Sequence, residues 1–148
     1  MYVPINIMRK RTLARELALK ILYQAEITRR DVKTADQIFW TEMEEVDKAV
    51  REFARMLTLG VGQHLQDIDD FISKYGTNWQ IKRMAVIDRN ILRLGVFELM
   101  FASDIPPKVT INEAVELAKK YGDVDSSKFV NGILDKIHKV EILKEKKL

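Results

Sequence analysis

The chain has 148 residues, 47% hydrophobic and 32% charged, with a net charge of +3 and no cysteine. That is enough apolar chain to bury a sizeable core, and it excludes a disordered polyelectrolyte, a disulfide framework and a thiolate metal site. No apolar run reaches the roughly 18 residues of a membrane span, and Arg9, Lys10 and Arg11 interrupt any secretory leader before an apolar stretch forms, so a cytoplasmic location is expected. Charge is segregated. Arg9, Lys10, Arg11, Arg15, Lys20, Arg29 and Arg30 make the start basic, Asp31 to Asp70 is rich in acid, and the end is rich in lysine. A basic N-terminal stretch fits a polyanion partner; a solvated, solubilising face is the plainer alternative.

In chain order, Met1–Met8 holds Pro4 and no periodicity and reads as a loose arm. Ala14, Leu17, Ala18, Ile21, Leu22 and Ala25 then recur at the helical period, predicting a helix over about 9–28. Tyr23 falls off that stripe, either a peripheral core tyrosine or a partner contact. A short helix is predicted near Ala35–Met43, with Ile38, Phe39 and Trp40 facing the core. Val46, Val50, Phe53, Leu57, Val61, His64, Ile68, Phe71 and Tyr75 form the longest periodic run, read as one helix of about 25–30 residues. Gly60 and Gly62 in its middle allow either close packing or a break. A short turn or helix begins at Trp79–Ile81.

Asp88–Ala102 is apolar nearly all round, interrupted by Glu98, and is predicted to be a central helix packed on several sides. Pro106 and Pro107 end the segment before the next helix. Thr110 with Glu113 has capping-box spacing. Gly122 offers a left-handed stop, and Asp125, Ser126 and Ser127 are helix starters. Phe129, Val130, Ile133, Leu134 and Ile137 give the last helix its stripe, which runs towards Lys144. With no sustained period-two alternation, the fold class is all-α: an irregular bundle of about six or seven helices around a central apolar helix, as a single domain over 1–148.

Nothing in the sequence composes an active site, so no catalytic residue, metal site or cofactor is expected. His64 and His138 are far apart, and His64 lies on an apolar register. Asp123, Asp125 and Ser127 open like a calcium loop, but Lys128 and Leu134 stand where glycine and the closing glutamate belong. Asp67, Asp69 and Asp70 read as a solvated face. Binding remains. The start of the last helix, with Lys128 beside it, suits an anion. Phe129 could stack on an unpaired base, although its place on the stripe with Ile133 favours core.

Four ordered blocks carry a resemblance: Ala14-Arg15-Glu16 with Leu22-Tyr23; Asp88 to Arg93 with Phe97-Glu98-Leu99; INEAVELAKKYG from Ile111; and Lys128-Phe129-Val130-Asn131-Gly132. Together they resemble the NusB family of bacterial transcription antitermination factors, from about Arg9 to about Lys136. The resemblance implies a non-enzymatic protein that binds boxA, a short single-stranded RNA element of ribosomal RNA leaders. It implies a heterodimer with NusE, a small-subunit ribosomal protein, acting within an RNA polymerase antitermination complex. By motif match, Arg9, Lys10, Arg11 and Arg15 would meet the RNA backbone, and Asp125, Lys128 and Phe129 its bases or phosphates. Tyr23 and Asp88 would face NusE. A homodimer is possible when the chain is alone. The rival readings are a protein-interaction adaptor without RNA recognition and an RNA-binding appendage of a methyltransferase, for which this chain lacks room. The acidic 31–70 region and the lysine-rich end match no family motif and carry no assigned role.

Overall fold

In the computed structural model, residues 5–76 and 80–143 are described. All regular structure among them is helical: α1 (Ile5–Thr28), α2 (Val32–Glu42), α3 (Lys48–Gln63), α4 (Leu65–Tyr75), α5 (Val86–Phe101), α6 (Pro107–Tyr121) and α7 (Ser126–Ile137). A 3₁₀ turn at Ile81–Arg83 precedes α5, and a π-helical turn at His138–Leu143 follows α7. Contacts divide the chain into two compact units, Met1–Gln63 and His64–Leu148.

The N-terminal unit folds because three amphipathic helices share one apolar centre. Ala14, Leu17, Ile21 and Ala25 of α1 meet Ala35 and Trp40 of α2 and Val50 and Ala54 of α3. The α1 stripe is the predicted one, but the helix begins at Ile5, so Ile5–Met8 belong to it and not to a loose arm. Met1–Pro4 lie outside the described residues. At the other end Arg29 adopts φ 56°, and the Arg30 N–H donates to Ala25 O at 2.9 Å, so a left-handed residue ends α1 without glycine. Asp31 starts α2, accepting from the Thr34 N–H at 2.8 Å. Trp40 is buried as expected, whereas Ile38 and Phe39 are only half-buried. Asp36, fully buried, accepts from Trp40 Nε1 at 2.9 Å, Arg55 Nε at 3.0 Å and Thr58 Oγ1 at 2.7 Å. Three donors satisfy a carboxylate that burial alone would make costly, and they tie α2 to α3.

The predicted helix from Val46 to Tyr75 is two helices. His64 leaves helical geometry at φ −114°, ψ 20°, and its ring stacks on Phe101 at 4.1 Å between centroids. The break therefore falls at the histidine and not at a glycine. Gly62 serves close packing: a Cβ there would lie 3.1 Å from Val32 Cβ.

In the C-terminal unit α5 is central, packing against α4, α6 and α7. Ile91, Leu92, Leu94, Val96, Phe97 and Leu99 are buried along it, while Phe101 at its end is exposed. Glu98 is buried and accepts from Thr110 Oγ1 at 2.9 Å. Thr110 is therefore not a cap. The α6 helix starts at Pro107, where proline's fixed φ and missing N–H suit a first turn, and Thr110 sits one turn inside it. Asp69, assigned above to a solvated face, forms a paired bridge with Arg93, Nε to Oδ1 at 2.8 Å and Nη2 to Oδ2 at 3.0 Å; Asp67 and Asp70 are exposed. Gly122 ends α6 in extended geometry, φ −96° and ψ −170°, not in a left-handed one. Its missing side chain makes room: a Cβ would lie 2.5 Å from Ser126 Oγ and 2.8 Å from Ala118 O. The last helix ends at Ile137 and passes into the π-helical turn. There Glu141 accepts from Tyr75 Oη and from Lys74 Nζ. The expected run to Lys144, and Trp79 in the predicted turn, lie outside the described residues.

Two glycines test the packing with the same substitution. Gly95 faces Leu134, whose Cδ1 would be 2.7 Å from a new Cβ, whereas Gly132 has open space. Gly132→Ala should stabilise the fold by about 1 kcal/mol through helix propensity. Gly95→Ala should destabilise it by about 1 kcal/mol, since overpacking outweighs that gain. Urea unfolding of both variants measures the difference in sign.

Candidate nucleic-acid interface

A polyanion is held by cations on a rigid element, and sequence preference needs acceptors, donors and a flat apolar face nearby. The chain places the first set on α1 and the second at the start of α7.

On α1, Arg9 is exposed and Lys10 and Arg11 are half-exposed. Lys10 Nζ lies 3.2 Å from Asp47 Oδ2. The Arg11 guanidinium carbon sits 4.6 Å from the centre of the Phe53 ring, and that of Arg15 sits 5.2 Å from it. Both lie within cation–π range. Arg15 is only 3% exposed. It is part of the interior of the N-terminal unit, so it differs from the three basic residues that precede it. Tyr23, further along α1, is exposed.

At the other location, the turn after α6 brings α7 beside the head of α5. A cleft of about 290 Å³ is lined by Arg83, Met84, Ala85, Asp88, Asp123, Asp125, Ser126 and Phe129. Its floor is fixed by the Gly122 corner: Ser126 is buried, its hydroxyl accepts from the Asp123 N–H at 2.8 Å, and its own N–H donates to Asp123 O at 3.1 Å. Asp125 precedes the helix without a side-chain cap bond and is exposed, as is Lys128. Phe129 is half-buried, between the core position its register favours and the open position a stacking residue needs. Asp88 keeps one carboxylate oxygen sealed from solvent with no hydrogen-bond partner among the described residues. Arg89, next to it, donates to Ile81 O at 2.8 Å and Met84 O at 2.9 Å and so fixes the 3₁₀ turn that carries Arg83.

Of the residues singled out in the sequence, Asp88, Asp125 and Phe129 come together in this cleft. Lys128 is on the same helix as Phe129, and Arg9, Lys10, Arg11, Arg15 and Tyr23 belong to the N-terminal unit. Arg83, Asp123 and Ser126 of the cleft, and Asp47 and Phe53 beside α1, were not anticipated as site residues. Asp123 and Ser126 stood in the corner already noted, but nothing local marks Phe53 as a platform for arginines. Among the described residues no cluster of three or more histidine, cysteine, aspartate or glutamate side chains could hold a metal, and no helix is long and apolar enough to cross a membrane.

The geometry is that of an all-helical scaffold with a basic helix and an aromatic cleft lined by carboxylates. Comparison with known proteins gives this arrangement its family. The NusB family profile matches residues 12–139. The transcription antitermination protein NusB of Anaeromyxobacter dehalogenans is 48% identical over 128 residues, 86% of this chain and 89% of that protein. A solved structure of T. maritima NusB superposes with a TM-score of 0.80 at 44% identity, covering 99% of this chain and 98% of that one. A chain in the crystal structure of the antitermination factors NusB and NusE in complex with double-stranded RNA superposes with a TM-score of 0.80 at 34% identity, covering 89% and 98%. The chain belongs to the NusB family of transcription antitermination proteins.

Two helix caps contribute to the acid stability of the N-terminal unit. Asp31 is held below its ordinary value of 3.8 by the Thr34 N–H, and Asp47 by the Val50 N–H and then by Lys10. Each carboxyl has a depressed folded-state value. Its stabilisation is thus present above the unfolded value and is lost as pH falls through the folded one. Helicity followed by circular dichroism should decline once the pH drops below about 4, and Asp31→Asn should lessen the part of that decline due to α2.

Proposed function

We propose that this chain binds boxA-like RNA together with NusE, as part of an RNA polymerase antitermination complex in the cytoplasm. The observation that carries the reading is the family match over residues 12–139, which takes in most of α1 and all of the α7 cleft. The neighbouring structure that holds NusB with NusE and RNA supports both partners.

Arg9, Lys10 and Arg11 neutralise phosphates, which gives affinity that falls with salt. Arg15, buried against Phe53, shapes that basic stretch from below. In the cleft, Phe129 stacks on an unpaired base, and the Asp125 carboxylate accepts from exocyclic amino groups. Lys128 and the N-terminal end of α7 offset the carboxylates' repulsion of phosphate. Tyr23, exposed on α1, and Asp88, at the head of α5, serve the NusE contact; a second copy of this chain competes for that surface when NusE is absent. The two units act as a single RNA-binding domain in which α1 supplies affinity and α7 supplies preference. The protein performs no catalysis and needs no cofactor.

The division of labour is measurable. Arg9→Ala should weaken a boxA-like RNA and a scrambled control alike and reduce the salt slope by about 0.7, the value for one single-strand phosphate. Phe129→Ala should cost about 1–3 kcal/mol of stacking on the cognate RNA and much less on the control, with Phe129→Tyr restoring it. Fluorescence anisotropy titrations at several salt concentrations read both effects. Equal losses on both RNAs from both substitutions would contradict the assignment.

A further inference from the structure

Three basic residues of α1, Lys10, Arg11 and Arg15, have partners already in the free protein. Asp47 stands before the first turn of α3 and accepts from the Ala49 N–H at 2.9 Å and the Val50 N–H at 3.2 Å. It is thereby fixed by backbone and does not depend on Lys10 for its position. Its second oxygen lies 3.2 Å from Lys10 Nζ. Two turns further along α3, Phe53 carries Arg11 and Arg15 on its ring. Arginine thus rests on an aromatic face while lysine rests on a carboxylate. The two kinds of contact answer differently to an arriving phosphate. A guanidinium over a ring keeps its N–H edge available to an anion, whereas an ammonium paired with a carboxylate must leave that partner or share it.

We propose that Asp47 is a built-in competitor for RNA phosphate at Lys10, lowering affinity for every RNA and flattening its salt dependence. This rests on the RNA-binding reading above. The side chains of Lys10 and Asp47 are 42% and 46% exposed, so the pair is solvent-screened and exchanges easily. When a phosphate replaces the carboxylate, Asp47 remains anchored by the two N–H groups of α3, close to the incoming negative charge. The cost is the same whatever the base sequence, because the phosphate is the same. A uniform penalty on backbone binding leaves discrimination to contacts that read bases. It also assigns a role to one residue of the acidic stretch between Asp31 and Asp70.

Asp47→Asn tests this with the fold preserved, since an asparagine oxygen still caps α3. A labelled boxA-like RNA and a poly(U) oligonucleotide are titrated against the wild type, Asp47→Asn, Lys10→Ala and the double variant, between about 50 and 200 mM salt. The expected result is a gain of about two- to fivefold for Asp47→Asn on both RNAs at the lowest salt. The salt slope should steepen by up to about 0.7, and the gain should vanish in the Lys10→Ala background. Unchanged affinity and slope in Asp47→Asn would overturn the proposal, as would an equal gain with and without Lys10, which would place the effect in the general field of the protein. Failure of the wild type to bind either RNA would overturn the RNA-binding reading and the competition with it.

Discussion

Burying a carboxylate is costly unless donors meet it, and each half of this chain holds a buried acid that is met. In the N-terminal unit Asp36 gathers Trp40, Arg55 and Thr58, which joins α2 to α3. In the C-terminal unit Glu98 takes the hydroxyl of Thr110, which sets α6 on α5. An apolar side chain at either position would cost less to bury, but it would not fix one helix along the length of the other. Each donor lost from a buried carboxylate costs about 1–3 kcal/mol. These two acids therefore tie α2 to α3 and α6 to α5.

From the Glu98 contact the path to the cleft is short. It fixes α6, α6 ends at Gly122, and the absent Cβ at Gly122 lets Ser126 close against the turn. Ser126 then brings Asp125 and Phe129 into the cleft that Asp88 also lines. Polar groups in such a cleft serve recognition best when they are held before a ligand arrives. The Asp123–Ser126 hydrogen bonds hold the turn, and Arg89 holds the 3₁₀ turn that carries Arg83. For α1 the equivalent work is done by Phe53 of α3, which supports two arginines.

Features set by local period were legible in the sequence. The stripes of α1 and α7 appear at their helical spacing, and the all-α class follows from the lack of alternation. What the sequence concealed was set by tertiary partners. Thr110 and Glu113 have the spacing of a capping box, yet the need of buried Glu98 for a donor, twelve residues away, decided the role of Thr110. Gly60 and Gly62 were the local signals for a break, but stacking on Phe101 accompanies the break at His64. Arg15 looked like one more surface cation; an aromatic ring two helices on in the chain let it bury its stem and keep its charge. Asp125, Phe129 and Asp88 were singled out by family likeness, and the cleft joins them. Asp47 and Phe53 carried no signal, since an isolated acid or a core-register phenylalanine says nothing of the cation it will meet.

The central claim is that the basic helix and the aromatic cleft serve RNA in company with a partner protein. The direct measurement is equilibrium binding of a labelled boxA-like RNA and a scrambled control, with and without NusE, at low and moderate salt. The boxA-like RNA should bind more tightly than the control, gain further affinity when NusE is added, and lose affinity as salt rises. Equal binding of the two RNAs under every condition, or no binding to either, would contradict it and leave a helical adaptor whose basic face is only solvated.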